Sequence, residues 1–224
     1  MTQAGPLSWL SGEGWIVLIG GEEAAQEESG DIDVSLLAHT DFTHPIAYVP
    51  TASGSPSKGE ALLEDYADLG GPRGDIVPLY SPADAGEPSN RLLLAEAGLI
   101  YIGDGKATPL VQTLSGSLAL QGMVESFLRG GLIVGVGAGA MALGSWIVGQ
   151  EEGGSLEPGL GWLQDAVVVP QFVGAAEMPS LQAALRQETG VVGLGIPQGT
   201  ALALGPAGQV ETWGAGEVTV VVAR

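Results

Sequence analysis

Gly130-Gly131-Leu132-Ile133-Val134-Gly135-Val136-Gly137-Ala138-Gly139-Ala140-Met141-Ala142 is the stretch whose reading decides the fold. An apolar, β-branched run passes into small residues and then into an Ala/Met stretch, which predicts a buried strand, a very tight turn and a helix. That is the shape of a nucleophile elbow. Its apex residue is thrust out at the carboxyl end of a parallel sheet, and small residues two before and two after it let strand and helix approach. Gly135 and Gly139 supply the flanks, and Gly137 stands at the apex. A glycine brings no reactive atom to the place built to present one. It also takes a positive φ freely, where a side chain meets strain of about 1–3 kcal/mol. The backbone N–H groups of Ala138 and Gly139, at the start of the expected helix, remain available, and an anion is expected on them.

Outward from the elbow, strand and helix signals alternate. Trp15 to Ile19, Ile46 to Val49, Asp75 to Leu79 and Leu99 to Ile102 are apolar runs predicted as strands, the third near an edge because Pro78 cannot donate to a ladder. Between them helices are expected over Ile32 to His39, from Ser55-Pro56 to about Leu69, from Ser89, over Pro109 to Leu114 and over Leu118 to Arg129, with Ser55 as an N-cap. Glu22 to Asp31 reads as an exposed loop. This alternation implies βαβ units and a mostly parallel sheet covered on both faces, a three-layer α/β/α domain spanning 1–224. After Trp146 the chain turns to short, Gly-punctuated β runs with one helix at about Pro179 to Glu188, and an antiparallel C-terminal extension is expected.

Composition narrows the function classes. The formal net charge is −19, with seven Lys and Arg residues scattered singly, so nucleic acid is not an expected partner. There is no cysteine, which excludes disulfides, thiolate metal sites and a Cys nucleophile. No apolar run is long enough to span a bilayer without Gly interruptions, and no signal peptide opens the chain, so the expectation is a cytoplasmic protein without a membrane partner.

Ligands of open parallel sheets bind at the carboxyl ends of the strands. Both histidines, His39 and His44, precede the second strand and fall at its opposite rim, out of reach of a nucleophile at the elbow. Ser55-Pro56-Ser57-Lys58 matches a Ser-x-x-Lys pattern in which lysine activates serine, although Ser55 already has a capping role. Glu22, Glu23 and Asp104 fall at strand ends where carboxylates hold a hard cation or an amine, against the commoner reading of solvated loop acids. No histidine accompanies them, and neither a metal nor a cofactor is expected.

Further segments carry a resemblance. Ile19-Gly20-Gly21-Glu22-Glu23, Ala47-Tyr48-Val49-Pro50-Thr51-Ala52-Ser53, Gly103-Asp104-Gly105-Lys106, Leu114-Ser115-Gly116-Ser117 and Gly135-Val136-Gly137-Ala138-Gly139-Ala140 resemble the serine peptidase family of cyanophycinase and the aspartyl dipeptidase called peptidase E. Gly159-Leu160-Gly161-Trp162-Leu163 and Gly193 to Leu202 follow the same pattern. The resemblance implies a fold related to class I glutamine amidotransferases. It places the family's nucleophile at Gly137, its histidine base at Gln171 within Val169-Pro170-Gln171-Phe172, and its turn glutamine at Lys106. Arginines of the family fall on Ala175, Glu177 and Ser180, and an acidic pair on Gln198-Gly199.

Together these departures imply a non-catalytic relative that binds a small molecule or a peptide end in the old cleft or acts through its surface in an assembly. Gly105, Lys106, Gly137, Ala138, Gly139, Gln171 and Ser53 are its candidate ligand-binding residues. Two alternatives stand beside it: a hydrolase of aspartyl or β-aspartyl peptides working through Ser53, or Ser55 with Lys58, and a structural subunit of a homo-oligomer.

Overall fold

The computed structural model describes residues 1–21, 26–148, 155–174, 181–182, 185–187 and 190–222, with the backbone alone for 26–31. The chain runs through β1 (Thr2–Ala4), β2 (Leu7–Trp9), β3 (Ile16–Ile19), α1 (Gln26–His39), β4 (Ile46–Val49), α2 (Ser57–Asp68), β5 (Gly74–Ile76), α3 (Pro82–Ala85), α4 (Pro88–Glu96) and β6 (Leu99–Ile102). It continues through α5 (Ala107–Leu114), α6 (Leu118–Arg129), β7 (Leu132–Val136), α7 (Ala138–Leu143), β8 (Trp146–Val148), β9 (Leu156–Pro158) and β10 (Leu163–Gln164). The last third adds β11 (Ala166–Pro170), β12 (Val192–Ile196), β13 (Thr200–Leu204), β14 (Val210–Gly214) and β15 (Thr219–Val222).

The apolar runs form the middle of a seven-stranded sheet of order β14-β13-β3-β7-β6-β4-β5. From β3 to β5 the neighbours are parallel, and β13 and β14 extend that sheet antiparallel. Strand residues alternate between two cores. Leu18, Val49, Ile100 and Ile133 face a layer that includes Leu94 of α4, Leu110 of α5, and Met123 and Phe127 of α6. Val17, Tyr48, Leu99 and Val134 face Leu36 of α1 and Tyr66 of α2. A sheet buried on both faces explains why these strands read as unbroken apolar runs rather than as alternation.

Helix α6 shows how the cover is set. Ser117 Oγ accepts the Leu120 N–H at 3.1 Å as an N-cap, while Ala119, Met123 and Phe127 recur every four residues and are fully buried. In its last turn Arg129 donates to the carbonyls of Ala95 and Ala97, tying α6 to the end of α4.

Register positions the site. Ile19 pairs with Val136, and Ile102 with Gly135, so β3, β7 and β6 end level with one another. The turns that follow them therefore share one rim of the sheet.

Several local expectations are corrected. Helix α1 starts at Gln26 rather than Ile32, so the acidic loop loses its second half to the helix. Helix α2 starts at Ser57 with Pro56 at its cap position and no side-chain cap, so Ser55 does not cap it; the Ser57 N–H reaches Ser55 Oγ at a long 3.4 Å. The opening residues are not a mere leader, because β1 and β2 pair antiparallel and β2 pairs with β10, burying Leu7 and Trp9. In the last third, β8, β11 and β12 are parallel neighbours within a five-stranded sheet, where antiparallel pairing was expected. The helix expected at 179–188 falls largely outside the described residues. Among the described residues no helix is long and apolar enough to cross a membrane.

Candidate functional site

The elbow exists as read. Gly137 has φ 53° and ψ −112°, a backbone conformation open to glycine and costly for other residues. Its N–H donates to the Ile19 carbonyl at 3.0 Å, and its own carbonyl accepts from the Met141 N–H at 3.0 Å. The flanking glycines are required by contact. A Cβ on Gly135 would lie 2.6 Å from the Gly139 carbonyl carbon, and one on Gly139 would lie 2.4 Å from the Ile102 carbonyl oxygen. Gly139 therefore serves strand–helix approach, and it does not line the cleft described below.

Asp104 occupies the apex. It follows β6 and is half-buried, and its Oδ1 accepts the Ala138 N–H at 2.8 Å and the Gly105 N–H at 2.7 Å. A Cβ on Gly137 would lie 2.2 Å from Asp104 Oδ1, 2.3 Å from Cγ and 2.8 Å from Oδ2. The carboxylate thus fills the space that a side chain at the apex needs. The anion expected on the Ala138 amide is the chain's own, which corrects the expectation of an external one.

A cleft of about 690 Å³ opens over this pair. One rim carries Gly105, Lys106 and Thr108, the other Val168 and Gln171, with Met141 between. Thr108 Oγ1 donates to Glu157 Oε2 at 3.1 Å, which fixes a second carboxylate in the wall. Gln171 is held at the rim by its backbone. Its N–H donates to the Gly20 carbonyl at 2.7 Å, the Phe172 N–H donates to the Ile196 carbonyl, and the Phe172 side chain is buried. Gln171 takes a positive φ of 54°, uncommon for a residue with a side chain. Its Cγ lies 3.2 Å from where a Cβ on Gly21 would stand, which packs it against the loop after β3.

Other candidates lie elsewhere. Ser53 Oγ is within 3.0 Å of the carbonyls of Pro50 and Ser55 and accepts the Ser55 N–H at 3.2 Å, so it stabilises its own turn and does not line the cleft. Ser55 Oγ shares a hydrogen bond with Ser57 Oγ at 3.0 Å, and neither Ser55 nor Lys58 lines the cleft. His39 Nδ1 meets the Ser35 carbonyl at 2.7 Å, with its ring among Trp15 and Trp213, and His44 Nδ1 meets the Glu96 carbonyl at 3.1 Å. Glu22 and Glu23 lie outside the described residues, and Asp104 Oδ1 is engaged by two backbone amides.

Sequence reading missed the wall residues Thr108 and Glu157, and it did not anticipate that Asp104 turns onto the elbow amide. The signal for Asp104 was present. An acid just past the end of β6, level with a side-chain-free apex at the end of β7, has both the reach and the room to turn onto the elbow.

The pattern of Peptidase family S51 matches residues 16–206. Among solved structures, a peptidase from an acI-B1 Actinobacterium is similar at TM-score 0.71 and 22% identity, covering 94% of this chain and 99% of that one. A putative peptidase E protein from Listeria monocytogenes EGD-e is similar at TM-score 0.60 and 15% identity, covering 94% and 99%. At such identities the likeness speaks for the fold. No curated protein sequence matches the chain.

Proposed function

Because the chain belongs to Peptidase family S51, we propose that it is a non-catalytic member that binds a small molecule or a peptide end in the elbow cleft. The observation that carries this reading is the pairing of a glycine apex with a carboxylate in the nucleophile's space. An acyl-transfer elbow works by presenting a nucleophile beside free amides that stabilise the developing oxyanion. Here the apex brings no reactive atom, and the Ala138 amide is already engaged by Asp104. Losing a single oxyanion donor lowers kcat by about 10²–10³-fold, and the missing nucleophile adds to that. Gln171, where the resemblance puts the base, has an amide that takes up no proton at neutral pH. The rival hydrolase through Ser53 or Ser55 is disfavoured by hydroxyls engaged within their own turn.

The test is hydrolysis of aspartyl dipeptides and β-Asp-Arg. The unmodified protein is expected to be silent. Gly137→Ser/Gln171→His is expected to stay silent too, because the introduced hydroxymethyl group meets the Asp104 carboxylate, whereas adding Asp104→Ala brings measurable turnover. Turnover by the unmodified protein that disappears in Ser53→Ala or Ser55→Ala would overturn the proposal.

A further inference from the structure

We infer that Asp104 is a built-in plug of the elbow: its carboxylate takes the place of a ligand anion on the Ala138 amide and keeps carboxylates and other oxyanions out of that end of the cleft. Three observations meet at this residue. Oδ1 accepts two backbone N–H groups, from Ala138 at 2.8 Å and from Gly105 at 2.7 Å. Such charge-assisted bonds are roughly twice as strong as neutral ones. The side chain lies in the volume that any Cβ at position 137 would claim, within 2.2–2.8 Å. The same residue lines the 690 Å³ cleft, so whatever enters meets it.

The plug depends on glycine at the apex, and the open apex is filled by the plug. Positions 104 and 137 therefore act as one unit. An incoming oxyanion would meet a fixed negative charge instead of a free donor, and Coulomb repulsion at that distance acts in a partly dehydrated site. Lys106 lines the same cleft and offers a cation to a ligand there. Turnover plays no part in this assignment, because the plug is read at an amide, so its failure and the failure of the non-catalytic reading are distinguishable.

The experiment is titration of the ¹⁵N-labelled full chain with methylphosphonate, following the Ala138 and Gly105 amide resonances. In the unmodified chain neither is expected to shift saturably. In Asp104→Ala both shift, with at least tenfold tighter binding, while Asp104→Asn, which keeps the oxygen acceptor, stays closer to the unmodified chain. Saturable methylphosphonate binding at Ala138 in the unmodified chain overturns the plug. So does an Asp104→Ala variant with a native spectrum that binds no better.

Should Asp104→Ala not fold, amide exchange in the unmodified chain decides. The Ala138 N–H, in the first turn of a helix where no helical carbonyl can accept it, is expected to be protected at least tenfold. Exchange at the rate of an open loop refutes the inference.

Discussion

At the scale of single residues the cleft rim holds a side chain in a costly conformation. Gln171 has φ 54°, and left-handed backbone costs an L-residue with a Cβ about 1–2 kcal/mol. Its position is imposed by neighbours, since its N–H donates to the Gly20 carbonyl and the next residue, Phe172, packs its ring against Gly195. Gln171→Gly is therefore expected to raise stability by about 1 kcal/mol, roughly 2–4 °C in Tm for a chain of this size. A urea midpoint that falls instead would mean that the glutamine side chain returns more than its backbone costs. Gly137 is the counterpart: the same kind of strain is absent there because the side chain is absent, and the space went to Asp104.

At the scale of elements, α1 and α2 are joined beneath the sheet by one phenol. Tyr66 on α2 is 1% exposed and donates to Asp33 Oδ1 on α1 at 2.7 Å, edge-on to Tyr101, which stacks on Tyr48. Burial pushes its phenol well above the ordinary value of 10.0, with Tyr101 and Asp33 adding to the shift. Above about pH 10 the unfolded chain releases this proton and the folded chain keeps it. The native state then binds more protons, and stability falls as pH rises, by about 1.4 kcal/mol per unit for the one group. Thermal melts between about pH 9 and about pH 11, on either side of the ordinary phenol value, are expected to show this slope in the unmodified protein and a shallower one in Tyr66→Phe; equal slopes would remove Tyr66 as the cause.

How much was legible follows from the same elements. β4, β6 and β7 stood out because both their faces are buried and the run is unbroken. The first turn of α1 did not, since Gln26-Glu27-Glu28-Ser29-Gly30-Asp31 has no apolar period to read. The parallel pairing of β11 with β12 was hidden because the spacing of short β runs does not report the direction in which two strands pair. The elbow and its rim were readable from glycine spacing, while the Asp104 contact depends on strand register and on a missing Cβ, which spacing alone does not report.

At the scale of the whole molecule, charge is the unbalanced quantity. Twenty-six acidic residues face seven basic ones, a formal −19. Added salt acts on this in two opposing ways. It screens repulsion among the acids, which destabilises the compact state, and it weakens the attractive pairs. Among the described residues Arg73 meets Asp75 at 3.4 Å, both well exposed, and Arg91 meets Glu125 at 2.6 Å, both more than a third exposed. Exposed pairs of this kind contribute about 0–1 kcal/mol each, so their loss is small beside repulsion spread over the surface. The sign is therefore set by repulsion. Raising NaCl from about 10 mM to about 150 mM shortens the Debye length from about 30 Å to about 8 Å, which removes the long-range part of the repulsion, and is expected to raise Tm by roughly 2–8 °C. Most of the rise comes within that range, because further salt shortens the screening length by only a few ångströms. A Tm that falls with NaCl would place the favourable pairs above the repulsion and show that the acids are held by cations or by partners of their own.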